Sequence, residues 1–187
     1  MTRIGSIVNK RVKGMAAAAA VAVVCGGIAL AGSPVAIAEQ STTKCYNGTG
    51  NTKKFDLPGK TDIHMNADPC ITRYSSGRMT ATIRIGWSEA SLPAVGSGHK
   101  FDDFKINVRL ERRPNGSSSD STVASKTCTV TSTVNASWSG DTSCSVTVSG
   151  VYNSGYDWSS DGWLRYDIDN DGKGGSDWSL TGSPLIR

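Results

Sequence analysis

Ten consecutive residues, RMTATIRIGW from Arg78 to Trp87, alternate polar and apolar: Met79, Ala81, Ile83, Ile85 and Trp87 fall on one side, Thr80, Thr82 and Arg84 on the other. A two-residue period lines up one face of a β-strand and scatters around a helix, so the segment is committed to a half-buried strand. FKINVRLER repeats the pattern, with Phe104, Ile106, Val108 and Leu110 set against Lys105, Asn107, Arg109 and Glu111. Further strands are expected at KTCTVTSTV, CSVTVSGVY, WLRYDI and DWSLTGSPLI, because turn formers such as NGTGN, SSG, PNG, SGD, NSG and DGKGG punctuate the runs. No window of helical length carries an apolar stripe. Seven or eight short strands point to an all-β fold, an antiparallel β-sandwich of Ig-like or jelly-roll-like type. A small closed β-barrel satisfies the same spacing.

The N-terminus has a different character. Arg3, Lys10, Arg11 and Lys13 precede an apolar run from Met15 to Ala31, and GSPVAIA follows with small residues at Ala36 and Ala38. This is the build of a secretory signal peptide over residues 1–38, with the cut expected after Ala38 and Cys25 as apolar filler. A single secreted β domain is then expected over residues 39–187, with no membrane association after cleavage. The chain has 20 Lys and Arg against 16 Asp and Glu, and four of the basic residues lie in the leader, which leaves sixteen of each sign. The basicity belongs to the leader, so no nucleic-acid partner is expected. Four cysteines remain, Cys45, Cys70, Cys128 and Cys144, and an even count in an exported chain reads as two disulfides. Of the three connectivities, Cys45 with Cys70 and Cys128 with Cys144 is favoured, because each pair is close in sequence and would staple neighbouring strands.

Several chemistries lack their residues. No two cysteines have C-x-x-C spacing and there is no H-E-x-x-H, so zinc is not indicated. No G-x-S-x-G accompanies His64 or His99, and both histidines read as residues of surface loops. Glycoside hydrolysis needs two facing carboxylates, and the glutamates of the domain are only Glu39, Glu89 and Glu111. A small hydrolase is therefore the third choice of function, and catalytic residues are not assigned.

Two features carry the expectations that remain. DIDNDGKGGSDW (residues 167–178) resembles the D-x-D-x-D-G half of an EF-hand-type calcium loop, with Asp167, Asp169, Asp171, the Lys173 carbonyl and Asp177 as ligands. Its twelfth position is Trp178 where such loops close with an acid, so the resemblance implies at most a structural calcium; the alternative is a plain hairpin turn. Tyr152, Tyr156, Trp158 and Trp163 cluster among turn formers and, if exposed beside the acids, would bind a carbohydrate by ring stacking. The expected function is thus a non-catalytic, monomeric extracellular binding module for a polysaccharide or another surface ligand. The alternative is a protein-directed effector such as a protease inhibitor, presenting LPAVGSGHK or ERRPNGSSSD as its loop. The Ala-rich leader, small two-disulfide β domain and terminal DG…W.LTGSP together resemble uncharacterised small secreted proteins of actinobacteria, a likeness of build that implies no activity.

Overall fold

Met79, Ala81, Ile83, Ile85 and Trp87 are buried, and Phe104, Ile106, Val108 and Leu110 are completely so. The alternation in the sequence is therefore the core itself, seen from two facing strands. A computed structural model of the chain describes residues 38–90 and 98–187. The expected signal peptide, apart from Ala38, lies outside the described residues, as does most of LPAVGSGHK.

Among the described residues nine strands make two antiparallel sheets that are not closed into a barrel. The first sheet contains β1 (Ser41–Cys45), β2 (Thr52–Phe55), β3 (Ile63–Tyr74), β4 (Met79–Glu89) and β7 (Gly140–Val148). The second has the order β6 (Ser121–Thr129), β5 (Phe101–Pro114), β8 (Tyr156–Ile168), β9 (Ser176–Ser179). The two sheets meet closely: a Cβ on Gly162 of β8 would lie 2.0 Å from the Asn107 carbonyl oxygen and 2.7 Å from Ile83 Cδ1. Only glycine fits there.

β1 and β2 both pair with β3, β1 along residues 70–74 and β2 along residues 63–66. Pro69 sits near the break between them, and this explains how a proline survives in an interior strand. Tyr46 N–H donates to the Pro69 carbonyl at 2.9 Å, so that edge of Pro69 faces the gap between β1 and β2. In an antiparallel strand a residue's nitrogen and carbonyl point the same way, so the missing donor removes no ladder bond.

Three expected strands have different bounds. KTCTVTSTV stops being a strand at Thr129, and Thr131–Asn135 form the short helix α1 as the chain crosses from β6 in one sheet to β7 in the other. Val134 on α1 is buried, and the Asn135 amide bonds Lys100 N, Phe101 N and the Phe101 carbonyl. WLRYDI is the second half of a thirteen-residue strand, β8. DWSLTGSPLI is a four-residue strand followed by a strap that runs back along β8, with Ser183 N–H on the Ser160 carbonyl and Ile186 paired with Trp158 in both directions.

Both disulfides have the expected connectivity, Cys45–Cys70 and Cys128–Cys144. Cys45 and Cys70 are cross-strand partners inside the first sheet. Cys128 and Cys144 do not staple paired strands; they join β6, at the edge of the second sheet, to β7, at the edge of the first. The strap closes the opposite flank. The buried Asn51 amide donates to the Thr181 carbonyl at 2.9 Å and accepts from Thr181 N–H at 2.8 Å, and Lys44 Nζ donates to the Leu185 carbonyl at 2.8 Å.

Candidate functional site

The aspartate run is the β8–β9 hairpin. Asp167, next to last in β8, lies opposite Asp103 of β5. Asp169 turns inward, where its carboxylate meets the Lys60 ammonium and lies 3.3 Å from His99 Nδ1. The hydrogen bond from Lys60 holds Asp169 below the usual carboxylate range. Asp171 Oδ1 accepts from Lys173 N–H at 2.8 Å, a local turn bond, while Asn170, Gly172 and Gly174 take positive φ. Asp177 is exposed and pairs with Arg165 at 3.5 Å. The expected calcium set of Asp167, Asp169, Asp171, Lys173 and Asp177 is thus not brought together: Asp169 turns to Lys60, Asp177 to Arg165, and Asp171 to the backbone of its own turn. Among the described residues the acids and histidines that converge are His99, Asp102 and Asp169, and the Lys60 ammonium is already bonded to that aspartate. His64 is not in a loop: it faces outward from β3 opposite Ser88.

The four expected ligand rings do not form one platform. Trp158 is completely buried, with its indole N–H on the Asn153 carbonyl at 3.2 Å, which corrects its assignment as an exposed ring. Tyr152 is half-buried, with the Arg73 guanidinium 4.8 Å from its centroid and donating to its hydroxyl at 2.9 Å. Tyr156 lies under Arg112 at 4.6 Å. Trp163 is an odd number of residues from Trp158 along β8 and so faces the other way, outward beside Asn107 and Ser179. On the same outer face Arg109 lies 3.0 Å from Glu111 and 3.1 Å from Asp161. Burial raises the Glu111 carboxyl above its ordinary range despite Arg109.

The aromatic assembly that does form was not read from the sequence. Phe55 packs edge-to-face on Phe101 at 5.3 Å and on Tyr166 at 4.9 Å, bringing β2, β5 and β8 together. Lys53, two residues before Phe55 and on the same side of β2, places its ammonium 4.7 Å from the Tyr166 centroid. Beside this assembly a groove of about 510 Å³ opens between β2, the loop behind it and the β8–β9 hairpin. Phe55, Leu57, Pro58, Tyr166 and Ile168 supply its apolar surface; Lys53, Lys54, Asp56, Asp62, Asp171 and Lys173 supply its charges. The only hint in the sequence is the alternation of Phe55 and Leu57 in KFDLP, since Tyr166 and Ile168 arrive from more than a hundred residues away. A second depression of similar volume lies over Gly86 on the outer face of the first sheet, lined by Asn66, Asp68, Arg84 and Asp141, and it lacks an aromatic floor.

The β5–β6 loop (residues 115–120), the described candidate for an inhibitor loop, is tied back by Asn115, whose amide donates to the Ser154 carbonyl at 2.9 Å. Among the described residues no helix is long and apolar enough to cross a membrane. Comparison of the chain with protein-family models, with curated proteins and with solved structures finds no match.

Proposed function

We propose that this chain is a non-catalytic extracellular binding module whose ligand lies in the groove between β2 and the β8–β9 hairpin. The observation that carries the reading is the groove itself: about 510 Å³, within the usual range for ligand sites, with an apolar and aromatic floor framed by a few charges. Among the described residues its lining contains no histidine, cysteine or serine, side chains that often serve as base or nucleophile near neutral pH. The two disulfides and the signal-like N-terminus support an oxidising, extracellular setting.

Backbone-amide shift mapping against a panel of extracellular small molecules, peptides and polysaccharides tests the proposal. Perturbations confined to residues 53–58 and 166–173 support it; binding that maps elsewhere, or no binding across the panel, overturns it. A carbohydrate on the outer face of the second sheet is the other reading, favoured by the outward Trp163 beside Asn107 and Asp161. Polysaccharide retention that disappears in Trp163→Ala would favour that face over the groove.

A further inference from the structure

Resting on the groove reading above, we propose that the groove takes an amphiphilic carboxylate, its head held by Lys53 and Lys173 and its apolar body laid on Leu57, Tyr166 and Ile168. The lining carries three cations and three carboxylates, but they are not equally free. Lys54 Nζ stands 2.8 Å from both Asp56 and Asp62, and Asp62 also accepts from Leu57 N–H at 3.0 Å, so Lys54 is fully paired and is not available to a ligand. Asp171 is turned into its own hairpin by the bond from Lys173 N–H. Lys53 and Lys173 are left with no carboxylate partner among the described residues. A ring face does not neutralise an ammonium, so Lys53 keeps donors for a ligand while its stem seals the aromatic assembly behind it.

The ammonium groups in the groove that have no carboxylate partner among the described residues are therefore those of Lys53 and Lys173, and the surface next to them is apolar. A carboxylate head accepts from both lysines, and its apolar tail is removed from water by the same floor. An alcohol of the same length gains only the tail contact. A cationic amphiphile meets two like charges.

The test uses the purified protein and three probes built on a ten-carbon chain: decanoate, decanol and decyltrimethylammonium, each titrated by calorimetry. Decanoate is expected to bind most tightly, about tenfold tighter than decanol at low salt, with the gap closing as salt screens the lysines. Lys53→Met, which keeps the stem, and Lys173→Ala are each expected to weaken decanoate about threefold while leaving decanol unchanged. Asp171→Asn, which retains the acceptor for Lys173 N–H, is expected to strengthen decanoate. Decanoate and decanol binding equally, or a preference for the cation, overturns the carboxylate assignment and leaves the groove as a binding site. No binding of any probe, together with no amide perturbation at residues 53–58 and 166–173 across the wider ligand panel, overturns both.

Discussion

The two long flanks of the sandwich are closed by different means. On one, Cys128–Cys144 ties β6 to β7 covalently and α1 crosses between the sheets. On the other, the strap after β9 reaches β1 and the turn before β2 through hydrogen bonds between its backbone and the side chains of Asn51 and Lys44. A disulfide acts mainly by restricting the unfolded chain, whereas the strap bonds exist only in the folded one and can open locally. The candidate groove lies on the hydrogen-bonded flank, beside β2, a four-residue strand whose sheet partner is β3 alone. The covalent tie between the sheets and the hydrogen-bonded one thus lie on opposite edges.

Breaking the covalent flank should have the largest effect. Replacing Cys128 and Cys144 by alanine is expected to cost about 3 kcal/mol in chemical denaturation, a fall in Tm of roughly 6–12 °C for a domain of this size. The same change at Cys45 and Cys70 sharpens the point. The sequence separations of 16 and 25 differ little in closure entropy, so the intrasheet bond should be worth nearly as much. A much larger loss at Cys128–Cys144 would show that holding the two sheets together matters beyond chain entropy.

Asn51→Ala breaks the strap flank. It removes both bonds to Thr181 from a buried site, and about 2 kcal/mol is the expected loss. Hydrogen exchange should localise it: the amides of Thr181, Ser183 and Ile186 should lose protection while those of β5 keep theirs. Uniform deprotection would mean that the two flanks are one cooperative unit.

Lys100 gives a pH handle on the α1 side. It is completely buried, donates to the carbonyls of Gly98 at 3.2 Å and Ser137 at 2.8 Å, and lies 4.9 Å from the Trp138 centroid. Burial, aided by the nearby Lys60 charge, lowers its pKa from 10.5 to about 8. Between those values the unfolded chain binds the proton more readily than the folded one, so the Lys100 contribution to stability should rise as pH climbs from about 8 toward 10.5. Denaturation midpoints measured across that window check the slope, and Lys100→Met should remove this component. A falling Lys100 contribution would contradict the burial account.

The smallest expected effect is that of calcium. With Asp169 held by Lys60, Asp171 by its own turn and Asp177 by Arg165, millimolar calcium or a chelator should leave Tm unchanged. A clear rise with calcium would mean that these bonds yield to the ion and the hairpin rearranges around it.

The parts of the fold legible in the sequence were those whose physics is local. Met79 to Trp87 and Phe104 to Leu110 announce strands because each buried residue is two positions from the next. IHMNADPCITRY hides β3, since Pro69 argues against an interior strand until the gap between β1 and β2 is known. KTCTVTSTV has strand propensity throughout, yet the crossing between sheets bends its end into α1. Trp158 among turn formers looked exposed, and the strap, through Ile186, makes it core.

By itself the sequence determined an all-β chain with strand period in its apolar residues, cysteines enough for two disulfides with three pairings open, and a turn where glycines and aspartates gather. These follow from backbone geometry and from cysteine count, which act over a few residues or not at all through space. Tertiary structure alone decided which charges are free. Asp169 is neutralised by a lysine 109 residues away, whereas Lys53 rests on Tyr166 and has no carboxylate partner among the described residues. Pairing depends on distance in space, and a linear pattern of like charges carries no record of the partners that folding brings.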